Sequence, residues 1–134
     1  MVANAPATHI HIFGSLIVSQ GAADYECVAF ANEGRVAVSS ATFKLLFFSP
    51  SHGDAGSQEV TVSSTVAPGE RMNVPTAEHP GDASQLPNCK PLTVAKEKIF
   101  MTFLAPDSLE YADGTSWRLS KASPSPSPSP SATP

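Results

Sequence analysis

Apolar side chains in this chain recur at every second position, in run after run, and that period admits strands while excluding most helices. From Gln58 to Val66, one face carries Val60, Val62 and Val66, and the other Glu59, Thr61, Ser63 and Thr65. From Thr42 to Phe48, Phe43, Leu45 and Phe47 oppose Thr42, Lys44, Leu46 and Phe48. Both of those faces are partly apolar, as in a central strand. Lys98 to Leu104 groups Ile99, Met101 and Phe103, and Tyr25 to Asn32 groups Val28 and Phe30. Ile10 and Ile12 open a further strand running towards Val18. No stretch of twelve residues carries a helical stripe.

The breaks fall between these runs. Pro50, Gly53 and Gly56 separate two of them, and Asn32-Glu33-Gly34 closes another. Pro68-Gly69 suits a type II turn, because Gly accepts the positive φ of the third position. Asp113-Gly114, between Leu109-Glu110-Tyr111 and Thr115-Ser116-Trp117, is a hairpin signal. About seven strands at this spacing predict an all-β fold, an antiparallel β-sandwich. Its expected core is Val28, Phe30, Phe43, Leu45, Phe47, Val60, Val62, Ile99, Met101, Phe103, Leu109 and Tyr111.

With 134 residues there is room for one domain. Only 15% of residues are charged against 41% hydrophobic, the formal net charge is −4, and the eight Lys and Arg are scattered. A nucleic-acid footprint is therefore not expected. No apolar run reaches the roughly 20 residues of a membrane helix. Residues 122–134 hold only Ser, Pro, Ala and Thr. Repeated Ser-Pro pairs favour extended chain without a core, so a disordered tail is expected there. A flexible lead-in over residues 1–8 and a domain over 9–121 complete the division. The start has no basic region before an apolar one, although Ala3-Asn4-Ala5 has the form of a signal-peptidase site.

Cys27 lies in a predicted strand and Cys89 in a Pro-rich loop, with no C-x-x-C pair between them. A bridge would close about 60 residues, which chain-entropy arithmetic rates at roughly 4 kcal/mol. It would pin the irregular segment Pro75 to Pro91 onto the sheet. An even count, distant elements and sparse charge favour that bridge and an oxidising compartment. The competing reading is two reduced thiols in a cytosolic protein.

Cys27-Val28-Ala29-Phe30-Ala31-Asn32, an alternating Phe/Leu strand, a second Cys, and Leu109-x-Tyr111-x-Asp113-Gly114-Thr115-x-Trp117 follow one another in that order. This pattern resembles small secreted bacterial domains of immunoglobulin-like type, over roughly Tyr25 to Trp117. In those domains a CV.F.N strand and a terminal V.F.DGT.W hairpin bracket the fold, and the two Cys look like disulfide partners. The resemblance implies an immunoglobulin-like sandwich and carries over no catalytic residue. This chain departs from it in having no visible export signal.

Few residues suggest chemistry. His9 and His11 would share one side of a strand and could meet a metal. Further ligands would have to come from His52, His79, Asp54 or Glu78, and two solvent-facing histidines opposite Ile10 and Ile12 on an edge strand is the plainer reading. Asp107, Glu110 and Asp113 cluster near the last hairpin, where turn formation and solvation explain them. No nucleophile elbow or phosphate-binding loop occurs. Tyr25, Tyr111 and Trp117 could form an aromatic platform for sugar rings, although core packing is the plainer role for Tyr111 and Trp117. The loops Ser49 to Ser57 and Pro75 to Pro91 are long enough to recognise a partner. The expectation is a non-catalytic extracellular or surface interaction module without a cofactor, with a protein or glycan partner or self-assembly through strand edges. The alternatives are a carbohydrate-binding module and a metal-binding protein or enzyme through His9 and His11.

Overall fold

The computed structural model describes residues 1–51, 53–78 and 80–119. The expected Ser-Pro tail and the last residues of the expected domain lie outside them. Eight strands are present among the described residues: β1 (Ile10–Gln20), β2 (Ala23–Asn32), β3 (Val38–Phe48), β4 (Asp54–Val62), β5 (Arg71–Met72), β6 (Cys89–Pro91), β7 (Met101–Tyr111) and β8 (Ser116–Arg118). All their pairings are antiparallel. One sheet runs β1-β2-β5, with β6 also on β2, and the other runs β4-β3-β7-β8. The two short strands β5 and β6 share the length of β2, one opposite Phe30 and Ala31 and the other opposite Tyr25 to Cys27. As the alternation of Thr42 to Phe48 implied, β3 is central in its sheet.

The two sheets share one core. Ile10, Ile12, Val28 and Phe30 from the first meet Phe43, Leu45, Phe47, Val60 and Val62 from the second, all at most 5% exposed. The Phe30 and Phe43 rings lie 4.8 Å apart across the interface. Turn chemistry follows the residue types. Glu70 N–H donates to the Ala67 carbonyl across Pro68-Gly69, with Gly69 at φ 82°, the geometry of a type II turn.

The expected core is corrected in β7. Met101 is 36% exposed and Phe103 and Ile99 are only half-buried, whereas Leu104 is 1% exposed and Pro106 is buried. The cause is a register shift. Phe43 pairs with Pro106 and Thr42 with Ser108, leaving Asp107 as a β-bulge. A bulge exchanges the faces of a strand, so even-numbered residues point inward before Asp107 and odd-numbered ones, Leu109 and Tyr111, after it. The β1 strand has the same device. Ile12 pairs with Phe30 and Gly14 with Ala29, leaving Phe13 unpaired.

Residues 1–8 carry structure of their own. Ala3 N–H donates to the Leu104 carbonyl and Leu104 N–H to the Met1 carbonyl, a parallel bridge along β7 centred on Val2. A 3-10 turn over Pro6–Thr8 follows, with Thr8 buried. The cysteines are joined, Cys27 to Cys89, on directly opposed residues of β2 and β6 with Cα atoms 4.1 Å apart. The bridge lies within one sheet and fastens the segment after Pro75 to it. Cys27, Cys89 and Ala83 form a second buried cluster flanked by Tyr25, Val74 and Leu86. Among the described residues, no helix is long and apolar enough to cross a membrane.

Candidate functional site

The β2–β3 loop owes its shape to Asn32, a 1% exposed polar residue at the end of β2. Its amide Nδ2 donates to the Val36 carbonyl at 2.9 Å and the Val66 carbonyl at 3.0 Å, while Oδ1 accepts from Gly34 N–H at 3.0 Å. One side chain thus supplies an Asx turn and ties that turn to the opposite sheet. Gly34 is required by space: a Cβ there would lie 2.9 Å from the His9 Cβ. His9 itself is held at φ 58°, and its carbonyl accepts from Glu33 N–H.

The β7–β8 hairpin comes alongside this loop through Ala112 N–H, which donates to the Ala37 carbonyl. Within the hairpin, Asp113 Oδ1 accepts from Thr115 N–H at 3.0 Å and from the Thr115 hydroxyl at 2.6 Å, across Gly114 at φ 89°. Those bonds hold the Asp113 carboxyl below its ordinary range. The Tyr111 hydroxyl donates to the Thr8 carbonyl at 2.7 Å. Burial and the nearby Asp113 charge raise the Tyr111 phenol.

Loop and hairpin enclose a cleft of about 290 Å³ lined by His9, Arg35, Val36, Tyr111, Ser116 and Trp117 among others. Trp117 pairs with Leu109 across the hairpin, and both Trp117 and Tyr111 pack against the main core while edging the cleft. Each ring thus packs on the core, the plainer role read from sequence, and borders the cleft. Tyr25 is not with them. It pairs with Val18 and Pro91 at the far end of β2 and packs on the disulfide cluster.

His9 and His11 are both exposed, opposite buried Ile10 and Ile12 on the edge strand β1. The left-handed turn at His9 precedes the strand, so the shared-side geometry of alternate strand residues does not apply to the pair. His11 instead meets Phe13 in a tilted ring contact, centroids 4.5 Å apart, and Arg71 caps Phe13 at 3.9 Å. Among the described residues, no three His, Cys, Asp or Glu groups come together as metal ligands. His52 and His79 lie outside the described residues. Of the late carboxylates, Glu110 is exposed, Asp107 forms the bulge and Asp113 shapes the turn.

Arg35, Val36 and Ser116 were not singled out from sequence, since nothing in their spacing marks a cleft built from two distant loops. Comparison with protein-family models, curated proteins and solved structures finds no match to this chain.

Proposed function

We propose that this chain is an exported, non-catalytic interaction module of immunoglobulin-like type. The observation that carries the reading is the cleft between the β2–β3 loop and the β7–β8 hairpin. It gathers a cation, an imidazole, two aromatic rings and hydroxyls on loops at one end of a two-sheet scaffold, which is how rigid β-frameworks present recognition surfaces. The strand order supports the fold family: β1 and β2 in one sheet, a passage to β3 in the other, and a final hairpin beside β3. The Cys27–Cys89 bridge supports an oxidising compartment. β1 and β4 are sheet edges, so a second copy is one partner such a module can take.

The deciding experiment is the intact mass of protein from its native source, alkylated without reduction. A two-proton deficit with no added alkyl groups is the expected result. Two added alkyl groups would overturn the export reading.

A second reading, carbohydrate binding, is favoured by Tyr111 and Trp117 edging the same cleft as Arg35 and His9. Trp117 is the single tryptophan, so its fluorescence reports directly on cleft occupancy. A glycan array without binding removes this reading. The metal reading through His9 and His11 is tested by metal analysis of untagged protein, and an empty protein ends it.

A further inference from the structure

Glu26 is in phase with Val28 and Phe30 on β2, so its side chain enters the space between the sheets. It is 1% exposed, and neither carboxyl oxygen has a hydrogen-bond partner. A carboxyl left so is costly, and in a native fold it calls for a reason. Burial raises it from an ordinary 4.5 to about 7.

The surroundings supply a reason. The bulge at Phe13 brings Ser15 and Ile17 to the inner face of β1, opposite Val28 and Glu26. Ser15 fills little of the inter-sheet space there. A cleft of about 490 Å³ opens beside it, with Glu26 in its lining and Phe13, Leu16, Ile17, Ile99 and Phe100 among its walls. Three of those are large apolar side chains left in contact with water: Phe13 at 43%, Leu16 at 45% and Phe100 at 64%. Apolar side chains beside one orphaned carboxyl, in a mixed wall that Met1, Ser15 and Thr102 complete, make a site for a small amphipathic ligand.

We propose that this cleft binds a primary amine on an apolar body, its ammonium paired with the Glu26 carboxylate. An ammonium offers the charge-assisted bonds that the carboxylate lacks. Each Glu26 oxygen shows less than 1 Å² to solvent, so pairing requires a turn of the side-chain torsions towards the cleft. The groups facing Glu26 are Ile17 from β1 and Lys90 from β6, its register partner. Thr102 from β7 and Met1 share the lining, the Met1 ammonium donating to the Thr102 carbonyl at 3.0 Å. Lys90 makes no ion pair with Glu26.

The test is a carboxyl-carbon NMR titration of the intact protein with hexylammonium, hexanol and hexanoate. Hexylammonium should lower the apparent pKa of Glu26 by a unit or more and bind about tenfold tighter at pH 8 than at pH 6. Glu26→Gln should abolish that preference, and Lys90→Gln, which removes a neighbouring cation, should leave binding as tight or tighter. Hexanol binding as tightly as hexylammonium, or a Glu26 titration unmoved by the amine, would overturn the proposal. Both are read on the unaltered protein, so the test survives a variant that fails to fold. Nα-acetyl-lysine N-methylamide distinguishes sources. Tighter binding than hexylammonium assigns a lysyl side chain of a peptide, and weaker binding a free amine.

Discussion

Phe47 shows what a single side chain does here: it is fully buried on the inner face of β3, between Gly56 of β4 and Thr102 of β7. Phe47→Ala should cost about 3–5 kcal/mol through lost burial and the cavity left behind. Urea unfolding would measure it, and a loss below 1 kcal/mol would contradict this placement. Glu26 makes the opposite contribution. Between about pH 4.5 and 7, the folded chain keeps on Glu26 a proton that the unfolded chain has released. Stability therefore falls as pH rises through that window, by about 3 kcal/mol if the whole shift is expressed. Glu26→Gln should flatten this dependence in urea midpoints taken from pH 4 to 8. An unchanged slope would mean that some other group titrates there.

At the scale of elements, two bulges decide which residues are inside. Alternation names the two faces of a strand correctly, but it carries one phase from end to end. At Asp107 and Phe13 the phase changes, so Met101 and Phe103 leave the expected core while Leu104 enters it. Where no bulge intervenes, as along Phe43, Leu45 and Phe47, the period-two reading holds residue by residue. Loops depend on single polar anchors. Asn32→Ala would leave the Val36 and Val66 carbonyls and the Gly34 N–H without their partner, and should cost about 2–4 kcal/mol. Amide resonances of residues 33–37 should move together with those lining the Trp117 cleft. A shift confined to residue 32 would show the loop to be held by something else.

For the molecule as a whole, the Cys27–Cys89 bridge links residues 62 apart. It fastens a stretch whose own strands, β5 and β6, are two and three residues long. Such short strands cannot hold an irregular segment against its entropy. The paired Cys27→Ala and Cys89→Ala variant should lose about 4 kcal/mol by chain-entropy arithmetic. Proteolysis should then cut first between Val74 and Leu86. Cutting elsewhere, in β3 or β7, would show that the bridge braces the whole fold rather than this segment.

Class, strand positions, turns and the candidate bridge were legible because each depends on neighbours in sequence: alternation, a Pro-Gly or Asp-Gly pair, an even number of Cys. Even Glu26 could have been found, as a carboxylate in phase with Val28 and Phe30. Tertiary structure alone decided the phase of β7, the separation of Tyr25 from Tyr111 and Trp117, and the joining of His9, Arg35 and Trp117 around one cleft. Those outcomes depend on register between strands far apart in the chain. Register is set by how whole side-chain sets fit across two sheets, and no local pattern encodes that fit.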